Sequence, residues 1–177
     1  MLLDCGASII QQLDRCNLMA SNIDAVFVSH LHVDHSSGLP LLLYSSLMEH
    51  FEKRAQGIHE ISILGNQSIL EPLLGYCRAA YPAIFTGKGL VVAHQVHIDA
   101  NTPFLMDNNI KIDTTPMSHA VEGLSLAIAI NGIRICYSAD TRKTDALIKL
   151  AKDSNLLICN VFGCDEKAAE SSGFMSA

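Results

Sequence analysis

At 177 residues the chain has the length of one domain with a sizeable core, and 49% apolar content marks it as globular. A formal net charge of -6 gives no general pull on phosphate backbones, and basic pairs such as Lys53-Arg54 and Arg142-Lys143 are too small for a nucleic-acid footprint. The N-terminus lacks the basic region of a signal peptide, and no apolar run approaches about 20 residues, so neither export nor a membrane span is expected.

Apolar periodicity divides the chain as follows. Leu2 and Leu3 read as the end of a strand turning at Gly6, and 7–19 as an amphipathic helix built on Ile9, Ile10, Leu13 and Cys16. Residues 25–29 are a short buried strand. Ser36-Ser37-Gly38-Leu39-Pro40 offers N-cap chemistry and an early Pro for a helix over 39–55. A strand over 60–64, a helix over 66–80 stopped by Pro82, and a strand over 90–98 follow. Three strands (110–115, 124–130, 133–138) come next, the last two joined by Asn131-Gly132, a two-residue hairpin signal. A helix over 144–152 and a strand over 156–161 end the series. The six cysteines show no C-x-x-C spacing. Cys136 and Cys159 lie in apolar runs and read as core thiols, which suits a reducing cytoplasm.

Between the strand over 25–29 and the helix at Leu39 stands His30-Leu31-His32-Val33-Asp34-His35. Imidazole nitrogens and carboxylate oxygens of this kind hold divalent metals at about 2.0–2.2 Å. Crowded together without a metal they would need other partners. In an extended segment His30 and His32 point the same way and can share one ion. Asp34 and His35 come after the chain has begun to turn and can address a second. The position beyond a strand's C-terminal end is where ligands gather in open α/β sheets.

The stretch resembles the H-x-H-x-D-H signature of metallo-β-lactamase-fold hydrolases, and the longer run through Ser36, Ser37 and Gly38 is most similar to the ribonuclease Z and cyclic-phosphodiesterase branch. Asp4-Cys5-Gly6 resembles that branch's D-C-G. Ser138-Ala139-Asp140-Thr141-Arg142 resembles its G-D-T-R segment, with Ala139 where Gly is usual. The resemblance implies an α/β fold, a metallo-β-lactamase-type αββα sandwich, as a single domain over 1–177 that is incomplete at both its N- and C-termini. It also implies two divalent metal ions, zinc by preference, with manganese or iron compatible. His30, His32 and His119 would hold the first ion, Asp34 and His35 the second, and Asp140 would bridge them. Catalysis would fall to Asp34, which could orient a water, and Asp140. Asp4 would buttress the His loop. A loop histidine at 119, a turn carboxylate at 140 and a turn Asp at 4 are the plainer alternatives. His94 and His97, at odd spacing in one strand, read as structural, and His50 and His59 as surface residues.

Two departures stand out. Phe174, in Ser172-Gly173-Phe174-Met175-Ser176, takes the place of a His that in the ribonuclease Z branch assists the leaving group. A final metal-binding His is not reached before Ala177. Only 21 positions separate His119 from Asp140 (140 − 119), too few for the arm with which ribonuclease Z grips transfer RNA. A small phosphodiester is therefore the expected substrate and transfer RNA is not. Another ester, a lactone, thioester, sulfate ester or lactam is the alternative. An inactive metal-binding member is a third reading. An exposed sheet edge implies a homodimer or larger assembly.

Overall fold

A computed structural model describes residues 1–52, 57–87, 89–106, 109–161, 165–172 and 174–175. Lys53, Arg54 and the end of the 39–55 helix, Cys164, Gly173 and Ser176 lie outside the described residues. The chain divides into two compact units, 1–97 and 98–177.

The first unit is built on a four-stranded, all-parallel sheet in the order β1 (Leu2–Leu3), β2 (Ala25–Phe27), β3 (His59–Gly65), β4 (Val91–His97). Parallel neighbours need crossovers, and helices α1 (Ile9–Arg15), α3 (Leu39–Glu52) and α4 (Gln67–Ala80) lie in the three connections. β2 is buried throughout, as the unbroken apolar run requires. Leu39, Leu42, Leu43 and Ser46 give α3 a buried face at helical spacing. Leu70, Leu74 and Cys77 do the same for α4, whose N-terminus is capped by Asn66 accepting from the Ile69 amide at 3.0 Å. These faces join Val26, Val28, Ile61 and Ile63 in one cluster, each fully buried aliphatic side chain contributing about 1.5–3 kcal/mol.

The second unit has a five-stranded sheet in the order β5 (Phe104–Met106), β6 (Ile110–Pro116), β7 (Leu124–Ile130), β8 (Ile133–Tyr137), β9 (Leu156–Ile158). All pairs are antiparallel except β8 with β9. The β7–β8 hairpin closes as expected, with Ile130 opposite Ile133 and both Asn131 and Gly132 at positive φ, 50° and 79°. Helix α5 (Asp145–Ala151), capped by the Thr144 hydroxyl, sets Leu147 and Leu150 against Ala127 and Cys136.

Several expectations are corrected. The first helix is the shorter Ile9–Arg15. The 156–161 strand stops at Ile158, and Val161 instead makes an isolated bridge to Met175. β9 is an edge strand whose three residues are all exposed, so Cys159 beyond it is exposed too and is no core thiol, whereas Cys136 is buried. His50 and His59 are not plain surface residues. Both are half-buried, their rings stack at 4.8 Å, and each bonds a carbonyl, of Ser46 and of Ile23 respectively. His94 is exposed, 3.7 Å from Glu60, and His97 bonds Gln95. β5 and a final helix, α6 (Glu166–Ser172), were not anticipated from the sequence pattern.

Candidate metal centre

Each unit presents its own group of ligand-type side chains. In the first, the chain leaves β2 through Val28 and Ser29 and reaches His30, wholly buried. His32 remains extended at ψ 142°, so His30 and His32 point together. Their Nε2 and Nδ1 atoms converge to 3.0 Å. Two nitrogens bound to one tetrahedral ion at 2.0–2.1 Å would sit about 3.3 Å apart, so the pair fits a shared divalent ion with a small adjustment. Residues Val33–Ser36 then form a one-turn helix, α2, which turns the chain. Asp34 and His35 lie within this turn, with Asp34 Oδ2 3.6 Å from His35 Nε2.

The serines after this turn do not cap α3 with their side chains. Ser36 Oγ donates back to the carbonyls of Leu31 and His32, and Ser37 Oγ to that of Val33, so they tie down α2 instead. The Asp4-Cys5-Gly6 segment lies directly on the loop: the Cys5 amide donates to the His35 carbonyl at 2.6 Å and the Gly38 amide to the Cys5 carbonyl at 2.8 Å. A Cβ at Gly6 would collide with the Asp34 carbonyl, and one at Gly38 with the Gly6 carbonyl. The two glycines are what lets these strands of backbone touch.

Asp4 sits at φ 60° and is 8% exposed. Its Oδ1 accepts the Ser29 amide at 2.7 Å. Its Oδ2 accepts the Ser29 hydroxyl at 2.7 Å and His35 Nδ1 at 2.6 Å. Ser29 Oγ is also 2.9 Å from His30 Nδ1. Asp4, His30 and His35 come close enough together to resemble a metal site in their own right. Their facing atoms are engaged in these hydrogen bonds, through which Asp4 braces the loop.

In the second unit, His119 follows β6 in a loop joined to the one carrying Asp140. The Ser118 amide donates to Thr141 Oγ1 at 2.8 Å, and the Arg142 amide to the Ser118 carbonyl at 3.1 Å. Asp140 is 3% exposed, and its Oδ1 accepts from Asn160 Nδ2 at 2.6 Å. Ala139 before it has φ 50°, the left-handed backbone for which Gly is usual. Phe174 places its ring edge-on to His119.

Two residues escaped the sequence reading. Ser29 was legible only as a polar residue between an apolar strand and the first histidine. Asn160 gave no signal, since its partner lies 20 positions away.

Similarity to known proteins follows the same lines. Human zinc phosphodiesterase ELAC protein 2 is 26% identical over 96% of this chain, which spans only 23% of that protein's length. Ribonuclease Z of Methanothermobacter thermautotrophicus is 24% identical over 96% of this chain and 68% of its own. Human tRNase Z, short form, superposes with a TM-score of 0.75 at 21% identity, covering 98% of this chain and 72% of its own, and the metallo-β-lactamase fold protein YhfI of Bacillus subtilis with a TM-score of 0.74 at 20% identity, covering 98% of this chain and 64% of its own, which establishes the metallo-β-lactamase fold. With relatives so named, the expectation that transfer RNA is not a substrate gains no support. A family model described as Anti-Pycsar protein Apyc1 matches residues 1–162. The chain therefore belongs to the Anti-Pycsar protein Apyc1 family, on the metallo-β-lactamase fold and near its ribonuclease Z branch.

Proposed function

We propose that the protein is a metal-dependent hydrolase that acts on phosphodiester bonds of small substrates through a dinuclear site. The observation that carries the reading is the convergence of His30 Nε2 and His32 Nδ1 at the end of a buried strand, within the H-x-H-x-D-H pattern. In this proposal His30, His32 and His119 hold one ion, Asp34 and His35 a second, and Asp140 bridges the two. The ions, zinc by preference, would supply an acidified water and stabilise charge on the phosphoryl oxygens. Asp34, whose carboxylate is exposed, would orient the attacking water. Asn160 would hold Asp140 in its bridging orientation. Names of relatives, zinc phosphodiesterase and ribonuclease Z, support phosphodiesters as the bond class.

The test is metal content per chain by elemental analysis, with hydrolysis of bis(p-nitrophenyl) phosphate, cyclic nucleotides and a precursor transfer RNA. About two ions per chain and turnover of the small phosphodiesters, lost in His32→Ala and Asp140→Ala, are expected. Turnover confined to lactone, thioester, sulfate ester or lactam substrates would overturn the bond class. Preference for the precursor RNA would overturn the substrate size, and bound metal without turnover of anything would leave a metal-binding protein. A cytoplasmic location and a homodimer or larger assembly complete the proposal. The first agrees with the free cysteines among the described residues, the second with the exposed apolar edge of β9. Light scattering on the purified chain checks the assembly. Among the described residues no helix is long and apolar enough to cross a membrane.

A further inference from the structure

We infer that one buried carboxylate, Asp4, sets the tautomers of two imidazoles at once, reaching His35 directly and His30 through the hydroxyl of Ser29. Ser29 is then a positioning residue, and its purpose rests on the reading above that His30 and His35 bind metal through Nε2.

The direction of each hydrogen bond follows from what the atoms can do. An ionised carboxylate only accepts. Asp4 Oδ2 at 2.6 Å from His35 Nδ1 therefore requires the proton on Nδ1 and puts the lone pair on Nε2. Asp4 Oδ2 at 2.7 Å from Ser29 Oγ requires the hydroxyl proton to point at Asp4. Ser29 Oγ has then spent its only proton and faces His30 Nδ1, 2.9 Å away, as an acceptor. His30 must carry its proton on Nδ1, and its lone pair falls on Nε2, the atom that converges with His32 Nδ1. Reversing the hydroxyl would set an oxygen lone pair against a carboxylate oxygen at 2.7 Å. In a site where Ser29 and His30 are both wholly buried, no water would screen that repulsion.

The backbone is arranged to keep the carboxylate there. Asp4 is in the left-handed region, which Asp and Asn tolerate better than most residues. Its amide donates to the Phe27 carbonyl at 2.8 Å, while Cys5 is held by the His35 and Gly38 backbone. A residue 25 positions before Ser29 and 31 before His35 is thus clamped against both.

The experiment is long-range proton–nitrogen NMR of the full chain with 15N-labelled histidine, free of metal, at pH 8, where histidines are ordinarily neutral. Metal affinity is read in parallel by competition with a chromogenic chelator. In the parent chain His30 and His35 are expected as Nδ1–H tautomers. Ser29→Ala should release His30 to a tautomer mixture, leave His35 unchanged and weaken metal binding about 10–100-fold, and Ser29→Thr should restore both readouts. In Asp4→Asn the left-handed backbone survives and the amide oxygen must stay on the fixed Ser29 N–H, so the NH2 group faces Ser29 Oγ and donates to His35 Nδ1. His35 should therefore shift to the Nε2–H form. A His30 still wholly Nδ1–H in Ser29→Ala, or a His35 unchanged in Asp4→Asn, would overturn the inference. Should Ser29→Ala fail to fold by circular dichroism, Asp4→Asn decides alone. Correct tautomers in a chain that binds no metal would sink the proposed function and leave the Asp4 relay standing.

Discussion

The ring of Phe174 stands 5.4 Å from that of His119, inclined at 61°. A benzyl ring carries no proton to give, so this position cannot assist a departing alkoxide. Phe174→His is expected to raise kcat on alkyl phosphodiesters at least about tenfold, short of the about 10²–10⁴ usual for a fully positioned general acid. Hydrolysis of p-nitrophenyl esters, whose leaving group needs no proton, should change little. Equal effects on both substrate types, or none on either, would count against this role.

Asn160 donates to Asp140 Oδ1 at 2.6 Å. Asn160→Ala removes a side-chain donor to that carboxylate and, on the proposed assignment of Asp140 as a ligand, should weaken metal retention about 10–100-fold. Chelator competition measures this. Unchanged affinity would mean that the Asn160 amide does not position Asp140 for metal.

Ala139 combines φ 50° with complete burial. Ala139→Gly exchanges relief of left-handed strain for a lost methyl and extra chain entropy, and should leave stability within about 1 kcal/mol. Ala139→Val adds a β-branched group to the same backbone in a closed space and should cost about 3 kcal/mol or more. Urea denaturation of the two variants compares them, and a Val variant as stable as the parent would refute the strain.

Burial raises three thiols, Cys5 to about 12, with the Asp4 charge as a second cause, and Cys77 and Cys136 to about 11. Below about pH 9 these groups are protonated in both folded and unfolded chains. Above it the unfolded chain loses thiol protons that the folded chain keeps, so it binds fewer protons and stability falls as pH rises from about 9 towards 11–12. The urea midpoint should be lower at pH 10.5 than at pH 8, and less so in Cys77→Ala. Iodoacetamide at pH 8 should label the exposed Cys16 and Cys159 first.

Where local pattern and tertiary context agreed, the sequence was legible. β7 falls on Leu124–Ile130 because an apolar run ends at Asn-Gly, and α4 begins after Asn66 because that side chain caps it. The convergence of His30 and His32 was legible because they stand two positions apart in one extended run. β5, only three residues long, exists through its pairing with β6, which no local pattern encodes. The His50–His59 stack joins α3 to β3, and neither residue's neighbours announce the other. Ser36 and Ser37 have N-cap chemistry, yet the preceding one-turn helix offers nearer carbonyls and takes their hydroxyls.

The two sheets differ in how far apart in the chain their partners lie. β7 and β8 close on two residues, whereas β2 pairs with β3 only after the histidine loop and α3 have been traversed. A hairpin of the first kind forms in about 1–10 μs, while closures of the second kind must first overcome the entropy of a long loop. Pulse-labelling hydrogen exchange should therefore find amides of 124–137 protected before those of 59–65. The histidine loop would then gain its shape late, when the strand after α3 returns to hold β2 in place.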